Sequence, residues 1–146
     1  LNKNIAKEND FIIFSRFYKR GTAKNYNTLR YIFNIFFINL TKILTGSKLS
    51  DPGSIVMLIK KKLIYKIAYE KITNGSHFGH FFNVLMSMLN VKILELPIIW
   101  KEGNVKSHLN SLSYVTILFA SLVKFFLTKS FFINKENKFK YDLINF

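Results

Sequence analysis

The sequence predicts an α/β domain. Short unbroken apolar runs of strand length alternate with longer apolar segments of helical period, and turn-forming residues separate them. The chain has 146 residues, 49% hydrophobic and 16% aromatic. That is enough for a sizeable core and too apolar for disorder.

Residues 1–10 read as a polar, frayed lead-in. Phe11-Ile12-Ile13-Phe14 is a continuous apolar run expected to form a buried strand, and the loop KRGTAKNYNT follows it. Arg30 to Leu44, RYIFNIFFINLTKIL, predicts a helix in which Arg30, Asn34 and Thr41 share a narrow polar stripe, with Gly46 as its stop signal. Ile55 to Ile59 predicts a second buried strand, and Lys60 to Lys71 a helix. A loop at residues 73–76 leads to a helix from His77 to Leu89. Val91 to Leu94 predicts a short strand; Pro97 then confines Ile98-Ile99-Trp100 to edge pairing. After the polar loop KEGNVKSHLNS, Ser111 to Ser130 predicts a very apolar helix whose narrow polar stripe is Ser113, Thr116, Ala120 and Lys124. The tail is polar and basic. No internal repeat or Pro/Ser-rich linker occurs.

The formal charge is +14, but nineteen of the twenty-two basic residues are lysine, scattered along the chain. Lysine, asparagine, isoleucine and phenylalanine dominate throughout, as AT-rich coding produces without selection for a polyanion. The three arginines, Arg16, Arg20 and Arg30, carry more information, because the rigid guanidinium fork matches phosphate. With no cysteine, disulfide and thiolate chemistry are excluded.

Tyr114 to Ile133 is about long enough for a bilayer, which needs roughly 20 residues. Lys124 and Lys129 lie within it, and a lysine at the bilayer centre costs about 2.5–3.5 kcal/mol. An in-plane interfacial helix, its lysines meeting anionic headgroups, fits better than a span. A core helix is the third possibility.

One carboxylate stands out in LTGSKLSDPGSIVMLIKKKL. Asp51 is the only acidic residue between Asp10 and Glu70. Asp before Pro-Gly is ordinary turn chemistry. The functional alternative is a carboxylate fixed at a strand end, where α/β folds place their ligands. Arg16 follows a predicted strand and Arg30 opens a helix, where a cation opposes the dipole unless an anion sits between them. His77 and His80 share a helix face without an acidic third ligand, so a metal site is not expected. No Gly-rich phosphate loop, nucleophile elbow or HExxH motif is present. Trp100 and Tyr114 suit packing or a membrane interface better than base stacking.

Four segments, in order, resemble the C-terminal half of a family-2 glycosyltransferase, of the branch with dolichyl-phosphate mannose synthases and polyprenyl-phosphate glucosyltransferases. DFIIFSRFYKRG resembles that family's strand ending in Ser-Arg-Tyr. LRYIFNIFFINLTKILTGSKLSDPGS resembles its Arg-led helix, turn and Asp followed by small residues, and IVMLIKKKLI the strand with basic residues after it. NVKILELPIIWKEGNVKSHLN resembles its Glu-hydrophobic-Pro-Ile strand, Trp and Ser/Lys loop. The resemblance runs from about residue 10 to 128. It implies the C-terminal part of a GT-A-like nucleotide-sugar transferase fold, acting at the cytoplasmic face of a membrane.

By the same resemblance Asp51 is the catalytic residue facing the reaction centre. Arg16, Arg30, Asn34, Lys106 and Ser107 bind the acceptor and its phosphate, with Lys101 assisting. The implied partners are a nucleotide-sugar donor, a polyprenyl-phosphate or other acceptor and the membrane surface; no nucleic acid is expected. The cofactor is Mg or Mn in the full-length enzyme, with ligands outside this sequence. The family's nucleotide-binding half with its Asp-x-Asp has no counterpart here, so the sequence is expected to be a fragment, inactive alone. Its Ser-Lys pair is reversed to Lys106-Ser107. His80 and Asn83 stand where the helix after residue 77 usually carries an acid.

The expected organisation is residues 1–110 as the catalytic portion, 111–133 as an amphipathic or membrane-associated helix and 134–146 as a basic tail. Two other functions fit parts of the pattern: a basic nucleic-acid- or ribosome-associated protein, and a non-catalytic membrane-associated module.

Overall fold

A computed structural model describes residues 3–19, 23–72, 75, 77–101 and 111–128, the last segment without the side chains of 111–114. The architecture is mixed α/β. Its centre is β1 (Phe11–Ser15), which pairs antiparallel with β3 (Met57–Ile59) and parallel with β4 (Ile93–Pro97). As the middle strand β1 has neighbours on both edges, and Phe11, Ile12 and Ile13 are fully buried. This is the setting in which an unbroken apolar run is favoured over alternation.

Asp10 fixes the start of β1. Its carboxylate accepts from Lys60 Nζ at 3.1 Å and from the Lys92 backbone N–H at 3.2 Å, tying in the chain next to both flanking strands. The Lys60 hydrogen bond, then that of Lys92, holds this carboxyl below its ordinary range.

Helix α2 (Thr28–Thr45) begins at Asn27, whose side-chain oxygen accepts the Arg30 N–H at 3.2 Å. It ends at Gly46, whose φ of 74° is left-handed and whose N–H bonds Lys42 O. Phe37, Ile38, Thr41 and Thr45 are buried along it. Helix α4 (Phe78–Met88) is the most enclosed of the described helices, with every residue from His80 to Met86 buried. Helix α5 (Ser111–Thr128) places Leu118, Leu122 and Phe125 in the same core, where Phe125 stacks on Phe81 at 5.1 Å between ring centres.

Several elements differ from the sequence expectation. The polar lead-in contains a short helix, α1 (Lys3–Glu8). The helix expected over 60–71 is one turn, α3 (Lys61–Ile64), followed by a 3-10 turn at Tyr69–Lys71. Its start carries Lys60, Lys61 and Lys62 with no acid and no side-chain cap, which opposes the positive end of the helix dipole. The strand expected at 55–59 shrinks to three residues and is not buried, and Ile55 is 76% exposed. Burial of β3 would need a layer over its second face, and sequence hydrophobicity alone does not supply one. Pro97 closes β4 as its last residue, where its missing N–H is tolerated. Within the segment read as a plain loop, β2 (Ala23–Lys24) pairs in parallel with β5 (Trp100–Lys101).

Among the described residues no helix is long and apolar enough to cross a membrane. The surface is nevertheless apolar in places. On α2 these are Leu29, Ile32, Phe33, Phe36 and Ile43; on α5 they include Ile117, Phe119 and Leu127.

Candidate functional site

The site forms where β1 ends and the segment after α2 returns to it. Asp51-Pro52-Gly53-Ser54 is a β-turn closed by the Ser54 N–H to Asp51 O at 3.1 Å, with proline at its second position. Three elements clamp this turn. Asn83 of α4 donates its amide N–H groups to Pro52 O at 2.8 Å and Ser54 O at 2.7 Å. Ser54 Oγ donates to Phe14 O of β1 at 2.5 Å. Glu95 of β4 accepts the Ser50 N–H at 3.1 Å and the Ser50 hydroxyl.

So held, Asp51 meets Arg16. The guanidinium grips the carboxylate in a fork, Nε to Oδ2 at 2.7 Å and Nη2 to Oδ1 at 2.8 Å, and the Arg16 backbone N–H adds a third bond at 3.0 Å. Asp51 is 1% exposed and the Arg16 side chain 18%. Taking a carboxylate out of water is costly, and these donors offset that cost. Gly53 leaves the pair room: a Cβ there would lie 3.4 Å from Arg16 Nη2 and 3.7 Å from Asp51 Oδ1.

The opposite side of Arg16 faces aromatic groups. Its guanidinium carbon lies 5.3 Å from the Phe17 ring centre and 5.9 Å from that of Trp100. Nη1 reaches the Tyr26 hydroxyl at 3.4 Å, and Asn34 donates to the same hydroxyl at 3.0 Å. Beside the guanidinium is a pocket of about 160 Å³ lined by Arg16, Gly53, Ser54, Ile55, Val56, Ile98 and Trp100. It is apolar apart from one cation and the turn, a lining suited to an anion that carries a hydrocarbon group.

Beneath the turn His80 is buried, with Nε2 3.0 Å from Thr41 Oγ1 on α2. Burial, then neighbouring His77, push its pKa down to about 4, against a smaller upward pull from Asp51. His77 is also lowered by burial. No group of three or more His, Asp or Glu side chains among the described residues is placed to hold a metal ion.

The expected site residues thus separate. Asp51 and Arg16, 35 positions apart, are in direct contact. Asn34 joins them through Tyr26. Arg30 is exposed on the first turn of α2, one turn before Asn34, and Lys101 is exposed on β5. Lys106 and Ser107 lie outside the described residues, as does Arg20. Asp51, expected to face the reaction centre, accepts from Arg16 with both oxygens, so in this structure the carboxylate anchors the guanidinium.

Sequence reasoning missed Ser50 and Tyr26, and noted Ser15 and Glu95 only as members of motifs and Asn83 only as a departure from the family pattern. Asn83 did carry a signal, as an amide within the otherwise apolar run FFNVLM. Comparison with protein-family models, with curated proteins and with solved structures gives no match.

Proposed function

We propose that this chain is the acceptor-side portion of a GT-A-like, family-2 glycosyltransferase that moves a sugar from a nucleotide-sugar to a polyprenyl phosphate at a membrane face. The observation that carries the reading is the fork of Arg16 on buried Asp51 beside an apolar pocket. The order of motifs in the sequence supports it, since the Ser-Arg at the end of β1 and the Asp after α2 meet in space. Exposed apolar residues on α2 and α5 support the membrane face.

In this reading an acceptor phosphate approaches the Nη1 edge of Arg16, whose 3.4 Å contact with Tyr26 is the longest of its hydrogen bonds given above. Asn34 and Tyr26 orient it, and Asp51 fixes the guanidinium so that no reorganisation is needed on binding. A phosphate oxygen then attacks the anomeric carbon and the nucleoside diphosphate leaves. The divalent ion, held by an Asp-x-Asp outside this sequence, neutralises that leaving group when bound. The hydrocarbon chain of the acceptor lies against Ile55, Val56, Ile98 and Trp100.

Trp100 is the only tryptophan in the chain and lines this pocket, so its fluorescence reports binding directly. Titration of the full chain in mild detergent with farnesyl phosphate should give saturable quenching that farnesol and inorganic phosphate do not. Arg16→Lys keeps the charge but loses the fork, and should weaken binding about tenfold. An equal response to farnesol would replace the transferase by a non-catalytic membrane-associated module, the second reading that the exposed apolar residues favour. A stronger, steeply salt-dependent response to an oligonucleotide would favour the nucleic-acid alternative.

A further inference from the structure

We propose that Glu95 is a positioning residue that sets the Arg16–Asp51 pair through a one-way chain of hydroxyl groups. Glu95 lies on β4, in register with Ile13 rather than beside the pocket. Its carboxylate accepts the Ser50 N–H with both oxygens, each at 3.1 Å, and also the Ser50 hydroxyl. Ser50 Oγ lies 2.6 Å from Ser15 Oγ. Ser15 Oγ also accepts the Phe17 N–H at 3.1 Å.

The direction of this chain follows from counting protons. A hydroxyl has one proton to give. Ser50 gives its proton to Glu95, so Ser15 must donate to Ser50, and Ser15 is then left as the acceptor for Phe17. An acceptor-only group at the Glu95 end makes the order unique. The two serines immediately precede the two members of the ion pair, so the Ser15–Ser50 bond lies one residue before the Arg16–Asp51 fork on both segments. Whatever fixes Ser50 therefore fixes the register in which Asp51 meets Arg16. Ser15 is fully buried, so water does not compete at its end of the chain, while Ser50 and Glu95 are half-buried.

Glutamine at position 95 would turn one of the two acceptors into a donor facing the Ser50 N–H, and the direction of the chain would no longer be unique. The functional meaning of this role rests on the acceptor-phosphate reading; the geometry does not. Two measurements on the full chain separate them. The first is hydrogen exchange of the Arg16 Nε–H signal in ¹⁵N spectra; the second is the farnesyl phosphate titration. Glu95→Gln and Ser50→Ala should each speed Nε–H exchange about tenfold and weaken farnesyl phosphate about tenfold, the scale of one lost hydrogen bond. Ser50→Thr keeps the hydroxyl and should restore both.

Unchanged Nε–H exchange in Glu95→Gln and Ser50→Ala would overturn the positioning role, even if wild-type protein binds farnesyl phosphate. Equal loss in Ser50→Thr and Ser50→Ala would also overturn it, because bulk rather than the hydroxyl would then decide. Altered exchange in a wild-type background that ignores farnesyl phosphate would uphold the positioning role and remove the transferase reading.

Discussion

The two stretches on either side of Gly46 reverse the usual rule of inside and outside. Before it, α2 exposes Leu29, Ile32, Phe36 and Ile43, the last by 79%. After it, Ser47, Asp51 and Ser54 are buried, joined from other elements by Ser15 and Asn83. The difference lies in partners. Ser47 is bonded from α4, Ser54 to β1 and Asp51 by Arg16 just after β1, so the network tolerates burial. The exposed apolar side chains of the first stretch have no comparable cover from the described residues. A pattern that looks inverted as hydropathy is consistent once bonding is counted.

The largest test removes one partner of the buried pair. Arg16→Met leaves the Asp51 carboxylate, 1% exposed, without its guanidinium, and should cost about 3–5 kcal/mol in urea unfolding. Asp51→Ala leaves a guanidinium that water can reach at 18% exposure, so the loss should be smaller, about 2 kcal/mol. Equal losses would mean that the pair is solvated and the second stretch is not a dry network.

The next test uses acidity. The folded pKa of His80 is about 4 against an ordinary 6.5, so the unfolded chain takes up its proton first as pH falls. The stability from keeping His80 neutral is complete above about pH 6.5 and declines towards pH 4, by about 3 kcal/mol. His80→Gln should reduce the slope in that window to the part due to His77, whose pKa burial also lowers, while leaving the plateau near pH 7 within reach of wild type. His77 and Asp51 are the ionisable neighbours, and their opposed effects are part of the same window. A slope that the substitution leaves undiminished would assign it to another group. Third in size is Asn83→Ala, which strips Pro52 O and Ser54 O of their donor and should cost about 2 kcal/mol. It should also weaken farnesyl phosphate, because the turn carries Asp51.

Much of the first stretch was legible in the sequence. The apolar period and Gly46 located α2 to within a few residues, and His77 to Leu89 anticipated α4 closely. The strand at Ile55–Ile59 failed because an apolar run does not reveal whether a second layer covers it. The helix over 60–71 failed because its period was followed and the three consecutive lysines at its start were not weighed. In the site, Asp51 and Arg16 were visible as the one acid in a long basic stretch and an arginine at a strand end. Ser15 and Glu95 were visible only as motif members and Ser50 not at all, since serines are common and the contacts among the three join residues 35 and 45 positions apart.

The smallest change in stability separates the two stretches most sharply. Phe36 and Ile43 lie on α2 at 53% and 79% exposure, so Phe36→Ser with Ile43→Ser should change the free energy of urea unfolding by about 0.5 kcal/mol or less. If this face meets lipid, the same pair forfeits the burial of two large side chains there, and burying one such side chain is worth about 1.5–3 kcal/mol. Sedimentation with vesicles containing anionic lipid should then fall at least about tenfold, while the Trp100 response to farnesyl phosphate in detergent is retained. Unchanged sedimentation would leave the basic side chains as the whole source of attraction, and raising the salt should then abolish it. A large loss of stability would show that the apolar half of α2 is covered within the chain after all, and the contrast across Gly46 would disappear.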